Sequence, residues 1–259
     1  MPLTKEKRFI ISSLFLSLGF LGINLVDANF RLPAILGLTL ATLIFFVFSL
    51  WEGLGINASL LSLLLPPLFT LGVGIFWFLI PSTIFARLPV VVLFGMGIYV
   101  LSRTQNIFTV SMVKTIPLFR GARSVGFILT FLTSFLLYNA IISIKANIFI
   151  TCLGVFLISL FLFLQGLWIS SIEIKDLVLN KMFVYATLFA FVITQIAVFL
   201  YFWPVTVVVG SIFLTIGIYV LLGLGQAELE KRLFKQTVQE HLLVGLIVFI
   251  IMFLATHWG

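Results

Sequence analysis

Residues 182–224 carry no charged side chain, and their only helix breaker is Pro204. As one helix the stretch would run about 64 Å at 1.5 Å per residue, twice the roughly 30 Å of hydrocarbon in a bilayer. The chain must therefore turn back near Trp203-Pro204. Residues 59–102 pose the same problem, and Pro81-Ser82, Arg87 and Pro89 mark a turn there. Segments this apolar are at home only where the bilayer is the solvent. There each backbone N–H must be satisfied inside its own helix.

Composition extends this to the whole chain. Hydrophobic residues make up 62% and charged residues 9%, against about 25% charged in a soluble domain. At about 20 residues per crossing, 259 residues allow eight to ten spans and leave no soluble domain. We place spans at 9–26, 34–51, 59–80, 88–102, 125–143, 147–169, 182–203, 205–224 and 241–258, the fourth running on toward Phe108. The expected fold is all-α, a polytopic transmembrane bundle of about nine helices forming one transmembrane domain over 1–259. The basic start followed by the run Phe9–Val26 resembles a signal peptide. The run is long for one, however, and Asp27-Ala28-Asn29 is no small-x-small cleavage site, so it is read as a retained first span.

The net charge of +7 and pI of about 9.8 would suggest nucleic acid in a soluble protein. Here the basic residues fall in loops, and no nucleic-acid partner is expected. With the N-terminus inside, the cytoplasmic segments hold Lys5, Lys7, Arg8, Arg103, Lys114, Arg120, Arg123, Lys175, Lys181, Lys231, Arg232 and Lys235. The outer segments hold Arg31, Arg87 and Lys145. Twelve against three fits the positive-inside rule and would be scrambled by one misplaced span. The expected location is the inner membrane, N-terminus cytoplasmic and C-terminus, with His257, outside.

Gly97-Ile98-Tyr99-Val100-Leu101 recurs as Gly217-Ile218-Tyr219-Val220-Leu221. Other landmarks follow in the same order: Trp51 with Trp168, Pro81 with Pro204, Val125-Gly126 with Val244-Gly245. This points to a first helix (1–33) followed by two four-helix repeats, 34–143 and 147–258. An even number of spans makes the repeats parallel, related by an axis along the membrane normal. Each copy of the motif leads into a polar stretch, 103–124 and 226–240, expected to lie as an interfacial helix under the bilayer. Glu228 and Arg232 would pair at i,i+4 there.

The segments Asn106-Ile107-Phe108-Thr109-Val110, Lys114-Thr115-Ile116, Gln165-Gly166-Leu167-Trp168, Phe202-Trp203-Pro204-Val205-Thr206 and Leu242-Leu243-Val244-Gly245-Leu246 resemble an uncharacterised family of multi-spanning membrane proteins from candidate-phylum (Patescibacteria-type) bacteria. The resemblance covers most of the chain. It implies a small-genome bacterial host and brings no activity with it.

No ionisable residue falls near the middle of an expected span. Pumps and proton relays usually place one there. Sites built from broken helices and backbone carbonyls need none. Candidate polar groups are therefore few. Glu52 and Glu173, after the matched tryptophans, would bind a cation or headgroup or simply be solvated. Asn139, Gln165 and Gln195, with Asn24, would line a site or link helices. Arg120 and Arg123, with Arg103 and Lys114, would hold anionic lipid or an acidic protein partner at the cytoplasmic face, or only set topology. Pro66-Pro67 would kink span three, exposing backbone to a ligand or merely bending the helix.

Catalytic signatures are missing. His241 and His257 sit at opposite ends of the last span, Cys152 is the single cysteine, and no zinc-protease, hydrolase-elbow or phosphate-loop motif occurs. No catalytic residue, metal or cofactor is expected, and the chain is read as leaning away from an enzyme. Two functions remain: an accessory or scaffold component binding a partner or lipid, or a small transporter or lipid-handling protein with a pathway between the repeats.

Overall fold

The computed structural model describes residues 4–23, 26–51, 60–80, 84–112, 116–172, 174 and 179–256. Within them the chain is all-α, with nine α-helices and no strand. Eight segments are long and apolar enough to cross a membrane. The first helix, α1 (Lys5–Gly22), is not among them, because its first turn holds Lys5, Glu6, Lys7 and Arg8. Its apolar part, from Phe9 on, spans about 21 Å.

Packing divides the chain into two units, Met1–Leu129 and Thr130–Gly259. The boundary falls inside α5 (Phe119–Ile144). The first unit contains α1, α2 (Arg31–Leu50), α3 (Leu65–Phe76), α4 (Ile84–Ser111) and the start of α5. An aromatic cluster holds α1, α3 and α4 together: Phe20 lies 4.7 Å from Phe94 and 4.8 Å from Trp77, and Phe69 stacks on Phe94 at 6.0 Å. Hydroxyl pairs tie helix to helix where lipid offers no alternative partner, Ser12 to Ser49 at 3.1 Å and Thr42 to Thr70 at 3.0 Å. Gly74 lets Ile35 of α2 lie against the α3 backbone. At the α1–α4 end, Arg103 pairs with Glu6 at 3.5 Å and donates to Tyr99 at 2.9 Å.

The second unit contains the rest of α5, then α6 (Ile148–Ser171), α7 (Leu179–Phe202), α8 (Val207–Leu229) and α9 (Lys235–Ala255). Helix α6 packs on α7 and α8, and every residue from Leu162 to Ser170 is buried. Tyr138 of α5 and Ser159 of α6 share a buried hydrogen bond of 2.7 Å. Gly166 receives the Leu222 side chain and Gly217 that of Ile193, so small residues again set the helix separations. By contrast α9 packs on α8 and buries only Met252 of its own length, leaving most of its apolar surface outward.

Several expected boundaries move. The fourth span runs on to Ser111, and Pro89 lies inside α4 instead of marking a turn before it. Pro66 and Pro67 do not kink a helix. They open α3, where the first turn's N–H groups have no intrahelical partner and proline costs nothing. The expected interfacial helices are absent among the described residues, since α4 and α8 continue into the polar stretches and α9 starts at Lys235. Helix α8 ends in a tight cap, with Lys231 at φ 55° and Arg232 N–H donating to Ala227 O at 2.8 Å. The break puts Arg232 beside Glu230, at 3.9 Å, in place of the i,i+4 pairing with Glu228.

Candidate functional site

At the end of the second unit where α5 and α7 finish and α6 and α8 begin, the helices splay around a cavity of about 290 Å³. The local sequence explains the splay. Helix α5 stops at Lys145, which takes the left-handed conformation (φ 50°), and Asn147 caps α6 by accepting from Ile150 N–H at 2.9 Å. Helix α7 stops before Pro204, and Thr206 caps α8 by accepting from Val209 N–H at 3.4 Å. Two short connections therefore lie side by side, and the four helix ends diverge beneath them.

The pocket is graded from polar to apolar. At the mouth are the exposed Lys145 and Tyr201 with Ala146, and just inside it is the buried Thr151. Tyr201 donates to the Ala146 carbonyl at 3.4 Å, and Thr151 to the same oxygen at 3.5 Å. Trp203 forms one wall, and its indole N–H donates to Thr256 at 3.1 Å, which anchors the rim to the end of α9. Below, Ile142, Val155, Ala197, Leu200, Gly210 and Leu214 make an apolar floor. Val155 and Leu214 lie about 10 Å along their helices from the first residues.

Among the described residues Lys145 is the only charged one lining the cavity, and no carboxylate is among the lining side chains. The N-termini of α6 and α8 add partial positive charge at the same level. A second, shallow groove runs on from Trp203 over the outer face of α7, past Phe199 and Phe202 to Gln195. A basic, hydrogen-bonding mouth over an apolar well suits a molecule with a polar head and a hydrocarbon tail.

The residues singled out from the sequence are not gathered here. Gln195 is exposed on α7 at the far end of the groove. Gln165 is fully buried on α6, its carbonyl accepting from Thr130 at 3.4 Å while its amide nitrogen meets no partner. Asn139 is buried on α5, roughly 13 Å along that helix from Thr130. Arg120 is exposed and Arg123 half-buried near the start of α5. Glu52 and Glu173, like Asn24, Lys114 and His257, lie outside the described residues.

Sequence reading missed Lys145, Thr151, Tyr201 and Trp203 as a group. Lys145 was counted only as one of three outer cations. The available signal was the pair of short turns at one bundle end, one bearing Lys145 and the other Trp203. It also passed over two further buried glutamines, one in each unit. Gln226 of α8 donates to Gly166 O at 2.8 Å, and Gln105 of α4, in the first unit, is enclosed with neither amide atom partnered. Among the described residues no group of three metal-ligating side chains occurs.

Comparison with curated proteins and with solved structures found no match. A family profile does match, over residues 11–255, nearly the whole chain. An apolar helical protein with a polar-mouthed well in its second unit, this chain belongs to the DUF5656 family of proteins of unknown function.

Proposed function

We propose that this protein is a multi-pass membrane protein that handles lipid, holding an amphiphile in the pocket of its second unit. The observation that carries the reading is the grading of that cavity, with the exposed Lys145 and Tyr201 at the mouth and the buried Val155, Ala197 and Leu214 beneath. Its volume, about 290 Å³, lies at the lower edge of small-molecule sites and suits part of one acyl chain. The groove past Trp203 gives the remainder of a lipid a surface to follow.

The test is retention. Purified in detergent and extracted, the wild-type protein is expected to carry tightly bound phospholipid. Gly210→Leu fills the floor: a Cβ there meets Ile142 and Val205 at an ordinary 3.5 Å, and the longer side chain enters the cavity. That variant should lose the lipid. Leu254→Ala, on the 76% exposed outer face of α9, should not. Wild-type protein that retains no lipid would sink this reading and leave the scaffold role.

We read the chain as two parallel repeats, 34–143 and 147–258, with the N-terminus cytoplasmic and the pocket on the outer side. The first three helices of each repeat pair alike: α2 with α3 and α6 with α7, α2 with α4 and α6 with α8, α3 with α4 and α7 with α8. The echoed glycines match as well, Gly97 meeting Phe69 of α3 and Gly217 meeting Ile193 of α7. This supports duplication, because chance similarity in apolar sequence need not reproduce the same contact.

A further inference from the structure

We infer that the amphiphile held in the second unit carries a negatively charged head, a phosphate or carboxylate, and that Lys145 selects it. The inference rests on the lipid-handling reading above and names the class of ligand that site takes.

Three observations carry it. Among the described residues, Lys145 is the only Lys, Arg, Asp or Glu lining the pocket, so no charged side chain among them offsets its charge there. A zwitterionic head would bring a cation against that ammonium; an anionic head would not. Next, the backbone acceptor beside it is already used: the Ala146 carbonyl, which would attract a cation, accepts from the Tyr201 and Thr151 hydroxyls. The N-termini of α6 and α8 add partial positive charge at the same level. Finally, Lys145 sits where lysine is a poor local choice. At φ 50° the backbone is left-handed, which favours glycine or asparagine. Lys231 takes the same conformation after α8 without lining the cavity, so what sets Lys145 apart is its place at the lip. The shape of the turn asks only for the backbone conformation.

The same backbone conformation supplies a clean variant. Lys145→Gly removes the ammonium and keeps the turn, so loss of folding does not confuse the result. The experiment is native mass spectrometry of the full chain, offered equimolar phosphatidylglycerol and phosphatidylcholine in mixed micelles. Wild-type protein should retain phosphatidylglycerol over phosphatidylcholine by about fivefold, the bias one lysine gives near an anionic surface. Lys145→Gly should retain both lipids without preference, and Lys145→Arg should restore the bias. Gly210→Leu should retain neither.

The failures are separable. If Gly210→Leu abolishes retention but the wild type shows no preference, the pocket holds lipid and the assignment to Lys145 is wrong. If the preference persists in Lys145→Gly, the assignment is again overturned. If Gly210→Leu leaves retention unchanged, the pocket reading itself falls. Added inorganic phosphate distinguishes the source of the anion. Displacement of phosphatidylglycerol by millimolar phosphate would show a site for the free ion and overturn a lipid head; unchanged retention supports the lipid.

Discussion

Lysine at φ 50° carries a local backbone penalty of about 1 kcal/mol relative to glycine. Lys145→Gly should therefore be more stable than wild type by about that amount in thermal unfolding, even as it loses its lipid preference. A gain in stability accompanied by a loss of selectivity is not what a purely structural residue produces. Elsewhere the small residues set sharper limits. A methyl group on Gly166 would fall 2.6 Å from Leu222, which is fully enclosed, so Gly166→Ala should cost about 1–3 kcal/mol by overpacking. Gly210→Ala, with 3.5 Å to its neighbours, should be nearly neutral. Tyr138→Phe removes the bond to Ser159, yet Ser159 keeps its own bond to Val155 O at 2.6 Å. The expected loss is about 0.6 kcal/mol, readable in the same unfolding assay.

At the scale of the element, what was legible in the sequence is what hydrophobicity encodes: the number of apolar segments, the reversal at Trp203-Pro204 and the turn at Lys145. What was not legible is where helices end inside polar sequence. Residues 103–111 looked like a separate surface helix because they are polar. The backbone continues α4 through them, since an unbroken ladder of hydrogen bonds is worth more at a membrane surface than a new helix start. Proline is similarly ambiguous. Pro66 and Pro67 begin α3, whereas Pro89 lies inside α4 and leaves a carbonyl one turn back without its usual donor. Pro66→Ala should thus leave stability almost unchanged. Pro89→Ala should raise it, by at most about 3 kcal/mol, in thermal unfolding. The pocket escaped the sequence for a related reason: it is made by four helix ends, and no single segment contains it.

For the whole molecule, the sidedness follows from whether α1 crosses. With nine spans the ends of the chain lie on opposite faces, and with eight they share one. A C-terminal alkaline phosphatase fusion should be active and a C-terminal green fluorescent protein fusion dark, if α1 crosses with its N-terminus inside. The reverse pattern would move the pocket to the cytoplasmic face, with α1 either at the surface or crossing from an outer N-terminus. The bond from Trp203 to Thr256 also has a consequence in time. Chains are made from the N-terminus onward. The residues of the well, from Ile142 to Leu214, leave the ribosome before α9 does. Until then Trp203 lacks Phe249, Phe253 and Thr256, the groups that hold its ring. The wall of the well is therefore in the membrane before the helix that fixes it, and the last helix to be made sets the final position of the rim.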